Sequence, residues 1–204
     1  ARLEQAERIV DELYARSITN EAASVVTNDL LRPYRPRRYE RILLHQFIAF
    51  DYLAGNQPDE ALVESRKTRL VVDSYRSRDR GREKYHDDGM SHYLSSIVYE
   101  ARGEWDNSLI SLYKSVAAYR DGPVALPPAV RDLTYYRLQR GGREEDIVRL
   151  DIEPGRSPEH VPALDGTQSE IVLIGYAGKA PVLKEAVFKG TYIVGGLITG
   201  ALHT

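Results

Sequence analysis

A chain of 204 residues, 42% hydrophobic and 28% charged, has the composition of a globular protein long enough to bury a core. Lys+Arg 28 against Asp+Glu 30 leaves a formal net charge of −2, which excludes a globally basic nucleic-acid binder and an acidic tail. The absence of cysteine removes cysteine nucleophiles, thiolate zinc sites, iron–sulfur clusters and disulfides together, without identifying a compartment.

The first 149 residues read as helix throughout. Leu3, Ala6, Ile9, Val10, Leu13 and Tyr14 make one apolar stripe over 1–16. Asn20 is placed to cap a second helix reaching Leu31. Pro33 and Pro36 then interrupt the chain in a loop that carries five arginines between Arg32 and Arg41. Tyr39, Leu43 and Phe47 form an i, i+4, i+8 row in a helix over 39–53. Gly55-Asn56 closes it, and Pro58 opens the next helix with Asp59 and Glu60 on the favourable side of the helix dipole. The charged stretch 74–88 has almost no aliphatic residues and reads as a solvated extension or loop rather than core. Further helices are expected over 91–102, 106–119, 127–138 and 144–150, separated by Gly103, Asp121-Gly122-Pro123 and Gly141-Gly142.

The composition changes at Asp151. Three prolines and two glycines between Pro154 and Gly166 predict a linker or an ordered irregular arm over 151–168. The apolar, β-branched run 169–178 predicts a buried strand, and 182–194 offers one or two more. The predicted fold is therefore mainly α, helical hairpins in series over 1–150, an arm over 151–168, and a small C-terminal β element over 169–204.

Two segments repeat each other. Around Gly55 to Ala61, and again around Gly103 to Ser108, a helix ends at glycine and an acidic turn opens a second helix on a small residue. Gly103, Trp105, Ser108 and Ser115 resemble the tetratricopeptide repeat in register, while Gly55 to Ala61 is one residue longer than the standard step. The wider order of segments is similar to that of an uncharacterised family of bacterial tetratricopeptide-type lipoproteins. It is carried by Tyr39-Glu40, by Ala61-Leu62-Val63-Glu64-Ser65-Arg66, by Asp88-Gly89-Met90 leading to Glu100-Ala101-Arg102-Gly103, and by Glu170-Ile171-Val172 through Pro181. Gly89-Met90 stands where that family has Pro-Phe. The resemblance implies a periplasmic, outer-membrane lipoprotein that acts as a scaffold for protein partners in the cell envelope. The chain begins at Ala1 without Met, which reads as a processed or trimmed N-terminus, so the signal peptide and lipid anchor that the resemblance implies would stand ahead of it.

The candidate sites divide by chemistry. No Gly-x-Ser-x-Gly elbow and no Gly-x-x-x-x-Gly-Lys-Ser/Thr loop occurs, so no enzyme and no cofactor is expected. His45 lies inside an apolar helix and reads as a satisfied core or groove histidine; His86, Asp87, Asp88 and His92 could offer metal ligands but lack any recognised spacing, so no metal is expected. From Arg32 to Lys84 thirteen basic residues face eight acidic ones, with tyrosines interleaved. Arg35, Arg37, Arg38, Tyr39 and Arg41 are accordingly candidate partner-binding residues, for an acidic protein surface ahead of nucleic acid or anionic lipid. Glu64 and Arg66 stand out because the resemblance falls on them. Two apart on a helix, they face different directions, bracing neighbouring hairpins or lining a concave binding face. The apolar segment 192–202 is expected to complete the β element or to pair with another chain by strand addition, which points to self-association or a larger assembly.

Overall fold

The computed structural model describes residues 2–20, 36–78, 87–156, 172, 174–175, 190–194 and 197–202, excepting the side chains of 14–20, 78 and 190–202. The protein is mainly α. Its helices are α1 (Arg2–Asn20), α2 (Arg38–Ala54), α3 (Pro58–Arg78), α4 (Gly89–Ala101), α5 (Trp105–Asp121), α6 (Pro128–Arg140) and α7 (Glu144–Leu150). Each packs on its successor along the chain, except that α7 also returns onto α5 and α4 touches α2. Asn20 is the last residue of α1 rather than the cap of a following helix; the helix expected from there to Leu31 lies outside the described residues.

Three helix pairs, α2–α3, α4–α5 and α6–α7, are joined by the same turn. At the end of α2 the Gln57 N–H donates to the Tyr52 carbonyl (2.8 Å) and Asn56 N–H to Leu53 (3.0 Å). Glu104 and Gly103 repeat this on Tyr99 and Glu100 (both 2.9 Å), and Arg143 and Gly142 on Leu138 (2.9 Å) and Gln139 (3.1 Å). This paired closure satisfies the last orphan carbonyls of a helix and needs one left-handed residue. Asn56 (φ +56°), Gly103 (φ +73°) and Gly142 (φ +68°) fill that place. Gly55, expected to be the turn glycine, has φ −81° and is not left-handed. The repeat is therefore counted from Asn56, an amino acid that tolerates the left-handed region. Ala61 and Ser108 then each follow five residues later, and the first copy is not one residue longer. Both lie at helix crossings, Ala61 fully buried and Ser108 nearly so. Trp105 is 41% exposed and does not fill a crossing.

Apolar burial forms three successive patches. Ile42, Val71, Val72 and Tyr75 join the start of α2 to the end of α3. Tyr75 is 5% exposed, so the charged stretch from Ser74 contributes a core residue before leaving the described region at 79–86. Ala49, Ala61, Leu62, Leu94 and Val98 tie α2, α3 and α4 together. Leu109, Val116, Val130, Leu138, Leu150 and Ile152 do the same for α5, α6, α7 and the start of the arm. A Cβ on Gly89 would fall inside the Tyr119 ring, and the Ser115 hydroxyl donates to the Gly89 carbonyl (2.7 Å), so α4 begins where it touches α5. Residues 151–156 are ordered on α6: Asp132 accepts the Gly155 N–H (2.8 Å), and the Tyr136 hydroxyl donates to the Arg156 carbonyl (2.5 Å).

The chain divides into Ala1–Gln168 and Ser169–Thr204. In the second unit β1 (Gly190–Val194) and β2 (Leu197–Leu202) pair antiparallel, Gly190 opposite Leu202 and Val194 opposite Leu197, with a register shift between Thr191 and Ile193. The strand expected over 169–178 falls mostly outside the described residues; Val172, Ile174 and Gly175 belong to no strand, and Val172 is exposed. No helix among the described residues is long and apolar enough to cross a membrane.

Candidate functional site

Helices α3, α4 and α5 enclose an open cavity of about 110 Å³. Its charge comes from Arg66 and Arg69 of α3 and Lys114 of α5, and no carboxylate is among the described residues that line it. Ser65, Ser95, Ser111 and the Tyr99 ring supply polar walls over Leu62 and His92. The Ser65 and Ser95 hydroxyls are 2.6 Å apart, linking α3 to α4 across the cavity. Arg66 is exposed, its carboxylate influence being that of Glu104, while Lys114 has no carboxylate partner among the described residues. Arg69 donates from Nε to Asp73 (3.2 Å) and places Nη1 3.3 Å from both ring nitrogens of His92. His92 is buried and its Nε2 lies 3.1 Å from Asp87 Oδ2. Burial opposes ionisation of Asp87, but the His92 hydrogen bond and charge, the Asp88 N–H and Arg69 outweigh it and lower its pKa to about 2.

On the other side of α3, Glu64 turns toward α1 and α2. Glu64 Oε2 is 2.9 Å from His45 Nδ1, and Glu64 Oε1 accepts from Lys67 Nζ (2.7 Å). Lys67 also donates to Glu7 Oε1 of α1 (2.7 Å), which stands 3.7 Å from His45 Nδ1. His45 and Glu64 are buried, with side chains 7% and 5% exposed. Desolvation raises the Glu64 pKa, yet the hydrogen bonds and charges of His45 and Lys67 bring it below its usual value. Burial weakens the Lys67 ammonium less than Glu64 and Glu7 strengthen it, so its pKa moves up. Glu64 and Arg66 thus point to two places, a buried ion-pair network and an open groove.

Of the arginines around the start of α2, Arg37, Arg38 and Arg41 do not line that groove. Arg35 lies outside the described residues. Arg37 is exposed, and its backbone N–H donates to Glu40 Oε2 (2.6 Å) at the helix start. Arg38 covers the Tyr75 ring, 5.1 Å from its centroid. Arg41, half-buried, reaches the Tyr75 hydroxyl (3.4 Å) and Asp11 of α1 (3.6 Å). Tyr39 donates to Glu40 Oε1 (3.4 Å). Two of the four cations therefore hold helices together.

Asp87 and His92 pair with each other, but Asp88 is turned to other partners. Asp88 caps α4 through Met90 N–H (3.2 Å) and accepts from Gln46 Nε2 (3.2 Å) and from the Ser91 hydroxyl, while His86 lies outside the described residues. Glu7 and Lys67 of the buried network, and Arg69 and Lys114 of the groove, were not read from the sequence. One signal was there: His45 and His92 each precede the left-handed residue of their turn by eleven positions, so both face inward from the first helix of a hairpin. No family model, curated protein or solved structure matches this chain.

Proposed function

We propose that this protein is a non-enzymatic scaffold whose tetratricopeptide-like hairpins hold an acidic segment of a protein partner in the groove between α3, α4 and α5. The observation that carries the reading is the composition of that groove, three cations with hydroxyls around them and no carboxylate among the described residues that line it. Such a surface matches carboxylates by charge and supplies donors for them, and an open cavity of this size takes one or two side chains rather than a cofactor. The repeat-like reading rests on three turns with the same two hydrogen bonds and a left-handed residue. The C-terminal β element, on this reading, is an arm for self-association or partner pairing. The envelope setting, as a periplasmic outer-membrane lipoprotein, rests on the order of the segments from Tyr39 to Pro181.

The test is fluorescence anisotropy with a labelled dodecapeptide rich in Asp and Glu, beside its Lys-rich counterpart and a single-stranded oligonucleotide. Salt-dependent binding of the acidic peptide is expected, lost in Arg66→Glu/Lys114→Glu and kept in Arg37→Glu. No binding at low salt, or binding indifferent to Arg66 and Lys114, refutes the groove. Oligonucleotide binding abolished by Arg37→Glu would instead support an anionic-surface role for the start of α2.

A further inference from the structure

The buried face of α3 offers a second chemistry, independent of the groove. Glu7, His45 and Glu64 come from three different helices, and one ligand atom of each lies within 4.8 Å of the other two. Tetrahedral ligands held about 2.0–2.2 Å from a zinc ion stand roughly 3.3–3.6 Å from one another. The two measured edges, His45 Nδ1 to Glu64 Oε2 at 2.9 Å and to Glu7 Oε1 at 3.7 Å, bracket that separation. Small rotamer changes would equalise them without moving the backbone. From these distances we infer that Glu7, His45 and Glu64 form a binding site for a divalent transition ion of the zinc class.

The donor set selects the ion. One imidazole and two carboxylates suit zinc or cobalt, whereas calcium and magnesium take oxygen-only shells. Lys67 also holds Glu7 through Oε1, the oxygen that faces His45, so an ion must displace it from Glu7. Lys67 engages Glu64 through Oε1, leaving Oε2 on the imidazole side. Its side chain is 40% exposed, so it can release Glu7 toward solvent while keeping Glu64 oriented, and water completes the shell from that opening. Because Glu7 belongs to α1 while His45 and Glu64 belong to α2 and α3, a bound ion would staple α1 to the first hairpin. Metal binding would then be a docking energy for α1.

The experiment is titration of the metal-free full chain with Zn²⁺, and with Co²⁺ as a spectroscopic probe. One equivalent is expected to bind, with a tetrahedral Co²⁺ visible spectrum and a rise in unfolding temperature. Glu7→Gln, which alters a partly exposed residue, and His45→Asn are each expected to weaken binding at least tenfold. His92→Asn is expected to bind like the unaltered chain. Circular dichroism of each variant establishes that it is folded. A folded Glu7→Gln or His45→Asn protein that binds Zn²⁺ as tightly as the unaltered chain, or an unaltered chain that binds none, would overturn the site; neither outcome touches the acidic-peptide groove.

Discussion

Asp87 is held ionised by His92 Nε2 at 3.1 Å, with Arg76 Nη1 3.5 Å away. Its carboxyl titrates near pH 2 when folded against a reference of 3.8, so the folded state binds its proton later than the unfolded state. A lowered carboxylate pKa stabilises above the unfolded value and loses that contribution as pH falls toward the folded one. Asp87→Asn should therefore destabilise the protein by about 1 kcal/mol at pH 7, the linkage value reduced for solvent around a half-buried pair, and by almost nothing near pH 2. Urea unfolding of both proteins at pH 7, 4 and 3 would check it, and a deficit that stays constant down to pH 3 would refute the pairing. A second buried charge behaves differently. Arg137 of α6 is 2% exposed and its Nη1 lies 3.1 Å from Glu100 Oε1 of α4, which also accepts from the Ser108 hydroxyl (3.2 Å). Removing the carboxylate takes a charged partner from a buried guanidinium, so Glu100→Ala should destabilise the protein, and Glu100→Gln, which keeps an acceptor, should cost less. Equal losses in denaturant unfolding would show that the charge alone matters and that the retained acceptor contributes nothing; a Gln variant as stable as the unaltered chain would show the reverse.

At the scale of the element, the hairpin turn decides which glycines are required. Gly103 has φ +73° with nothing within 4 Å of an added Cβ, so Gly103→Ala meets only backbone strain and should cost about 1 kcal/mol. Gly55 has an ordinary φ, and a Cβ there meets its nearest atoms at 3.4 Å, so Gly55→Ala should be close to neutral. Thermal unfolding of the two variants would separate them; equal losses would mean that Gly55 carries the turn after all. This pair also marks what was legible in the chain. Helix existence was legible, because apolar residues at three- and four-residue steps announce it, and the helix expected over 144–150 has those bounds in the structure. Asn56 was read as part of the closing pair, but the repeat was counted from Gly55 because glycine is the stronger turn signal, although Asn shares the left-handed region. Tyr75 was missed because polar and charged residues, Asp73, Ser74, Arg76 and Arg78, surround it in the sequence, while in the helix it falls on the side of Val71 and Val72. The two faces of α3 were half legible: two-residue spacing separated Glu64 from Arg66, but which helix each would meet depends on packing between distant segments. Gly89, read only as a departure from a pattern, is the contact between α4 and α5.

For the helical body, the patches of core imply unequal docking along the series. Between α4 and α5 the contacts are fully buried, with Leu94, Leu112, Ser115 and Val116 at 0% exposure. No described side chain of α1 is fully buried: Leu3, Ala6, Val10 and Leu13 are half-buried, and polar contacts add to them. Glu4 accepts from the Tyr52 hydroxyl (2.9 Å), Glu7 from Lys67 (2.7 Å), and Asp11 faces Arg41 (3.6 Å), while Ile9 remains 50% exposed. Apolar burial is nearly indifferent to simple salt, whereas partly exposed ion pairs weaken as the screening length falls to about 3 Å at 1 M. Raising NaCl from 0.05 to 1 M should therefore speed amide hydrogen exchange in α1 while leaving that of α4 and α5 almost unchanged. Lys67→Met, which removes the ammonium that joins Glu7 to Glu64, should speed exchange in α1 at low salt and abolish most of the salt effect there. If α1 and α5 instead respond alike, the series opens as one cooperative unit and the ionic attachment of α1 contributes nothing separable. If they differ, the groove of α3, α4 and α5 belongs to the stable part of the body, and α1 is the piece whose docking ionic conditions, or an ion held by Glu7, can adjust.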